Sequence, residues 1–188
     1  DGFYYRFKPL NRDNRLLLHF TVFKEGEPVV QLEKKLTVIH LENGVPQDFT
    51  YHEFSASFAV RSVYEPKLML VEETSHPSTF PVLSRQVKIT PYHFPFLDKV
   101  LYKFKKKLPN PKQVGIFRYN PRGGSWSARY SPYNAKTHTY SYRLRSSGTF
   151  ALMRDVFPPK IWWIRPKTRY KKNLGIIVVK MADKGKGI

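Results

Sequence analysis

Six histidines, fourteen carboxylates and no cysteine set the chemistry open to this chain of 188 residues. A zinc site without thiolates needs histidines and carboxylates at ligand spacing. His19, His40, His52, His76, His93 and His138 form no H-x-H pair. The nearest approach to H-E-x-x-H, at His52-Glu53, has Ala56 where the second histidine belongs. Histidines scattered in this way read as core-edge and turn residues. The missing cysteines exclude a disulfide scaffold, a thiolate zinc finger and a cysteine nucleophile. No G-x-S-x-G elbow presents a serine, and Glu72 and Glu73, adjacent on a strand, point to opposite faces and cannot share a substrate. The turn at Arg122, Gly123 and Gly124 lacks the rest of a Walker pattern and its following helix. The sequence therefore predicts no catalytic set, no metal site and no cofactor.

What remains is charge. Lys and Arg number 33 against 14 Asp and Glu, a formal net charge of +19 with a pI near 10.1. The first 94 residues hold 11 basic and 11 acidic residues, whereas residues 95–188 hold 22 basic residues and only Asp98, Asp155 and Asp183 as acids. The second half thus carries the whole excess, which suits an acidic partner such as nucleic acid, anionic lipid or an anionic wall polymer. The candidate polyanion contacts are Lys103, Lys105, Lys107, Arg143 and Arg145, together with the loop residues Arg165, Lys167, Arg169, Lys171 and Lys172. Tyr119, Tyr130, Tyr133, Trp162 and Trp163 are the aromatic candidates beside them. Cations interleaved with rings hold single-stranded nucleic acid by phosphate contact and base stacking, so a nucleic-acid-binding β-protein is one reading. Alternating lysines also keep a sheet soluble and blunt its edges, which is the plain structural reading of the same residues.

The elements that must position these residues are strands. With 41% hydrophobic and 15% aromatic residues the chain can build a core, and apolar and polar residues alternate from end to end without a sustained period of 3.6. Strands are predicted at 16–23 and 29–41, joined by a glycine-containing turn, and then at 54–60, 68–72, 85–90, 100–107, 114–119, 125–130, 139–145 and 149–153. Short strands punctuated by Pro and Gly point to a sandwich or barrel. The expected core holds Phe58, Leu68, Leu70, Val87, Ile89, Tyr102, Phe104, Trp126, Tyr142, Leu144 and Phe150. Over 100–107 the period of two sends Val100, Tyr102 and Phe104 to one face and Lys103, Lys105 and Lys107 to the other. Over 139–145 it sends Arg143 and Arg145 outward if Tyr140 and Tyr142 are core. Pro158 and Pro159 mark a boundary, because tandem prolines cannot join a central ladder. A further apolar strand is predicted at 174–179. No apolar run reaches the eighteen or so residues of a membrane span, so no transmembrane segment is predicted. The start at Asp1 and the turn-like end read as a fragment or processed product.

The stretches VGIFRYN at 114–120, GSW at 124–126, SGTFALMRD at 147–155 and FPPKI at 157–161, in this order, resemble a non-catalytic region of envelope-bound enzymes. The region is the immunoglobulin-like part that follows the peptidase domain in lysostaphin-type (LytM-like) zinc endopeptidases of Gram-negative bacteria. VVKMAD at 178–183, followed by Gly185, Gly187 and Ile188, is similar to that family's next module, with Lys186 in place of its usual serine. Upstream, Phe58 to Val60, Tyr64 to Leu68 and Pro81 to Ile89 look like the β-sandwich of the ankyrin spectrin-binding module type, and with them the resemblance extends over roughly residues 51–188. It implies tandem immunoglobulin-like β-sandwich modules: residues 1–48 a hairpin or the end of a preceding module, 49–157 a complete sandwich, and 158–188 the start of a further one. It also implies a periplasmic or cell-envelope location. The role implied is non-enzymatic, positioning a peptidoglycan hydrolase or envelope assembly through an anionic polymer, a lipid surface or a partner protein. The family's metal-binding H-x-x-x-D and H-x-H motifs are absent, so no catalytic role carries over to any residue.

Overall fold

The computed structural model describes residues 2–10, 15–24, 27–157, 160–164 and 178–182. The predicted alternation becomes strands. β1 (Gly2–Leu10), β2 (Arg15–Lys24) and β3 (Glu27–Leu41) run back and forth, followed by β4 (Gln47–Tyr51), β5 (Phe54–Phe58), β6 (Lys67–Thr74) and β7 (Gln86–Thr90). Then come β8 (Pro95–Lys105), β9 (Val114–Asn120), β10 (Ser125–Arg129), β11 (Tyr133–Asn134), β12 (Thr139–Ser146) and β13 (Thr149–Arg154). β14 (Lys160–Ile164) and β15 (Val178–Ala182) close the series. All pairings are antiparallel. One sheet has the order β1-β2-β3-β6-β7-β13-β9-β10, a second the order β11-β12-β8-β5-β4, and among the described residues β14 and β15 form a two-stranded sheet. The chain is all-β, with two large antiparallel sheets arranged as a sandwich. The expected division at residue 48 falls at the start of β4. Before it, β3 pairs with β2 along most of its length and, over Thr37 to Leu41, with β6 of the same sheet.

The core forms where the strands' inward residues meet. Phe54, Tyr102 and Phe104 of the five-stranded sheet and Ile89, Ile116, Phe150 and Leu152 of the eight-stranded sheet belong to one buried cluster. Its centre is aromatic: the Tyr102 ring lies 4.4 Å from Phe150, and Phe54 stacks 6.4 Å from Phe150 across the two layers. β13 is buried on both faces. Phe150 and Leu152 enter the inter-sheet core, while Ala151 and Met153 join Phe80, Phe117 and Trp126 in a second cluster on the opposite face. The β6–β7 connection covers that second cluster. It is tied down by hydrogen bonds from Leu83 N–H to Leu152 O (2.8 Å), from Arg154 N–H to Pro81 O (3.0 Å) and from Trp126 Nε1 to Pro77 O (3.1 Å).

Most of the expected core residues are buried, but β6 runs in the other phase. Leu68 is 51% exposed and Leu70 half-buried, while Met69 and Val71 are core residues opposite Ile39 and Ile89. The run LMLV is apolar at both parities, so its own alternation does not choose a face; the register with β3 and β7 does. Tyr142 and Leu144 are likewise half-buried, and Tyr140 takes the fully buried place on β12. Three histidines are turn residues, as their scatter suggested. His52, His93 and His138 have φ of 53°, 59° and 54°, in the left-handed region that histidine enters more readily than most residues. Gly124, with φ of 57°, closes the β9–β10 hairpin.

Two buried tyrosines differ in one respect. The Tyr102 hydroxyl donates to the Ser146 carbonyl at 3.0 Å, whereas the Tyr140 hydroxyl is buried with no hydrogen-bond partner among the described residues. Burial raises both hydroxyl pKa values, that of Tyr140 to about 12. Tyr102→Phe should therefore cost about 1 kcal/mol, because it removes the hydrogen bond to the Ser146 carbonyl, while Tyr140→Phe should be neutral or slightly stabilising. Urea unfolding at pH 7 measures both, and a larger loss from Tyr140→Phe than from Tyr102→Phe contradicts the assignment.

Candidate anion-binding face

β8 and β12 are hydrogen-bonded neighbours, so their outward residues share one face of the five-stranded sheet. Their register sets Lys105 opposite Thr139, Lys103 opposite Ser141 and Leu101 opposite Arg143. On the other side of β8, β5 places Ser55 opposite Lys103 and Ser57 opposite Leu101, and β4 adds Thr50 and Asp48 beyond them. The face is thus a shelf of short hydroxyl side chains around Leu101, with the carboxylate-bearing Asp48 at its β4 edge, carrying Lys103, Lys105 and Arg143. Lys103 and Arg143 are diagonal neighbours, about 7 Å apart at the backbone. Arg145 is exposed and lies at the register shift between Leu144 and Ser146, without an opposite residue on β8. Lys107 is exposed just past the end of β8. An open groove of about 820 Å³ runs over the β8–β12 pair, with Lys103, Ser141, Arg143 and Tyr130 in its lining.

The rings fall elsewhere, except for Tyr130. Tyr119 is on β9 of the other sheet, stacked on His76 at 3.9 Å with 9° between the ring planes. Tyr133 lies 4.7 Å from Tyr140, and its hydroxyl is 2.8 Å from His138 Nδ1. Neither flanks the basic face. Tyr130, in the β10–β11 connection, is 78% exposed and lines the groove. Trp162 and Trp163 lie on β14, opposite Lys180 and Val179. Arg165, Lys167, Arg169, Lys171 and Lys172 lie outside the described residues. The serines and threonines of the shelf were not singled out from the sequence, although their signal is present in FSASF at 54–58, where each second position is a serine between core residues.

Among the described residues, Arg85 and Lys88 of the neutral half are paired where these cations are not. Arg85 lies 3.2 Å from Glu73 and 3.8 Å from Glu53, and Lys88 lies 3.2 Å from Glu72. Among the described residues no carboxylate lies within 4.0 Å of Lys103, Lys105, Arg143 or Arg145. Two unit charges about 7 Å apart in water repel by about 0.6 kcal/mol, which a fold tolerates and a bound polyanion relieves. The nearby Glu53 does not neutralise the face, because Arg85 occupies it: the Arg85 backbone N–H donates to Glu53 Oε1 at 2.8 Å. Lys106, next to the face, donates its Nζ to the Leu83 carbonyl. Among the described residues no three of His, Asp and Glu gather as a metal-holding group, and no helix is long and apolar enough to cross a membrane. The site is therefore defined by charge, hydroxyls and two rings, the exposed Tyr130 and the half-buried Tyr142, on a sandwich face. In comparison with known proteins, the chain matches no family model and no curated protein.

Glu53 provides a check on these electrostatics. Its burial raises the carboxyl pKa, but the Arg85 N–H and the charges of Arg85 and Lys106 outweigh that and hold it below the ordinary 4.5. A carboxyl pKa lowered by folding contributes stability above its unfolded value, and that stability is lost as pH falls through the folded value. Glu53→Gln should therefore be less stable than the parent at pH 7. The difference should vanish at pH 3, where the parent's carboxyl approaches the same neutral form. Urea unfolding at both pH values measures this, and a constant difference contradicts it.

Proposed function

We propose that this chain is a non-catalytic, immunoglobulin-like module of a bacterial cell-envelope protein that touches an anionic polymer through the outer face of β8 and β12. The observation carrying this reading is the set of four cations on adjacent strands, Lys103, Lys105, Arg143 and Arg145, without carboxylate partners among the described residues. The all-β sandwich and the motif order resembling the region after a LytM-like peptidase domain support the envelope setting. In that setting the module positions a peptidoglycan hydrolase or an envelope assembly against the wall, in the periplasm. The two-stranded β14–β15 sheet fits the opening of a further module after residue 157. A nucleic-acid role has less support, since stacking needs successive rings and Tyr119 and Tyr133 are engaged within the fold.

Replacing Lys103, Lys105, Arg143 and Arg145 together with Gln should leave the unfolding midpoint nearly unchanged, because surface substitutions away from packed features shift stability little. Retention on peptidoglycan sacculi or anionic liposomes should fall roughly tenfold at about 50 mM salt, and parent and variant should converge near 0.5 M as the charges are screened. Co-sedimentation measures both. Equal retention of parent and variant at low salt rejects this face as the contact and leaves the cations as a solvated surface.

A further inference from the structure

The reading of the face as an anion contact leaves open what the anions are attached to, and the groove over β8 and β12 carries more than charge. Its lining joins Leu101 and the rings of Tyr130 and Tyr142 to the short polar side chains of Asn134, Thr139 and Ser141. The Ser141 hydroxyl makes no hydrogen bond among the described residues. Asn134 uses its carbonyl oxygen to accept from the backbone N–H groups of Lys136 (3.0 Å) and Thr137 (3.2 Å), which leaves both amide hydrogens to donate. The Thr139 hydroxyl donates to the Thr137 carbonyl at 3.2 Å and keeps its lone pairs for a ligand donor. Tyr130 adds an exposed ring at the wall, and Lys103 and Arg143 stand on the same surface as these polar side chains.

We infer that this groove takes an acidic glycan, a sugar polymer whose hydroxyls meet Asn134, Thr139 and Ser141, whose ring lies against Tyr130, and whose anionic groups meet Lys103 and Arg143. The inference rests on the reading of the face as anion-binding and adds the carrier. A sugar ring has an apolar C–H face and a rim of hydroxyls, which matches the apolar lining of Tyr130, Tyr142 and Leu101 beside the donors and acceptors of Asn134, Thr139 and Ser141. A nucleic-acid strand is held by consecutive exposed rings, whereas of the two rings that line this groove Tyr130 is exposed and Tyr142 is half-buried. A lipid surface takes up protruding apolar side chains. The central apolar residue of this face, Leu101, is half-buried between Arg143 and Ser57.

The volume of about 820 Å³ suits two or three sugar units along the strand pair, within the range of ordinary ligand sites. Engagement through hydroxyls and a ring does not depend on salt, whereas engagement of Lys103 and Arg143 does. Binding of an acidic glycan should therefore keep a salt-resistant part that a sugar-free polyanion lacks.

The test uses the full chain and four probes in fluorescence anisotropy: a carboxylated oligogalacturonate, polyphosphate of equal charge, a neutral chito-oligosaccharide and a single-stranded DNA oligonucleotide. Oligogalacturonate should bind roughly tenfold more tightly than polyphosphate or DNA, and Tyr130→Ala should weaken it roughly tenfold while changing polyphosphate less than about twofold. Ser141→Val should act in the same direction as Tyr130→Ala. The pair Lys103→Gln and Arg143→Gln should weaken both anionic probes. Equal affinity for polyphosphate and oligogalacturonate, tighter binding of DNA, or no effect of Tyr130→Ala on the glycan overturns the glycan assignment but not the anion-binding reading. The anion-binding reading itself fails if the double variant leaves both anionic probes unchanged. Because Tyr130 is 78% exposed in a connection, its replacement leaves the core intact, and an unchanged unfolding midpoint verifies this.

Discussion

The structure depends on one constraint, the two-residue repeat of β8 packed against Phe150 of the opposite sheet. Once Tyr102 and Phe104 are committed to the inter-sheet core, Leu101, Lys103 and Lys105 have the other face as their only place. The ladder to β12 extends that choice to Arg143, and the ladder to β5 extends it to Ser55 and Ser57. The basic face is thus the reverse side of the aromatic core. A slip of one residue in β8 would bury lysines and expose Tyr102, so the pressure that holds the core also holds the charge arrangement.

The opposite sheet is organised differently and shows why the groove lies where it does. β9 and β13 are covered twice, by the inter-sheet core and by the β6–β7 connection with Phe80. Its outer surface at these strands is already occupied. Arg118 of β9 is likewise engaged: its Nη2 lies 2.7 Å from His93 Nδ1 and donates to Ser146 Oγ at 3.0 Å and to the Ser147 carbonyl at 2.9 Å. Gly148 leaves the room for this, since a Cβ there would come within 2.9 Å of Arg118 Nε. On that sheet Lys88 meets Glu72 and Arg118 is held by His93, Ser146 and Ser147, whereas Lys34 and Lys35 of β3 are exposed without a carboxylate within 4.0 Å among the described residues.

Much of this was legible from the sequence, and the exceptions have physical causes. The hairpin at 16–41 and most strands from 54 onward are legible as short apolar-rich runs between turn residues, and the outward Lys103 and Lys105 follow from their alternation with Tyr102 and Phe104. The phase of β6 could not be read from LMLV, and β4 and β11 are too short or too polar to stand out. The asymmetry of charge between the halves was a matter of counting, but which cations meet carboxylates depends on register: Lys88 lies opposite Glu72, while Lys103 lies opposite serines. Tyr119 and Tyr133 have the same side chain as Tyr130, and only the fold separates the two that pack on histidine and tyrosine from the one that is exposed.

The central claim, that an anionic polymer lies along β8 and β12, is tested most directly by lysine footprinting. The chain is acylated with and without a polyanion at low salt, and each lysine is quantified by mass spectrometry. The account predicts that Lys103 and Lys105 are protected while the exposed Lys34 and Lys35 of β3 react at unchanged rates. Equal protection of all four, or protection of the β3 lysines alone, would contradict it.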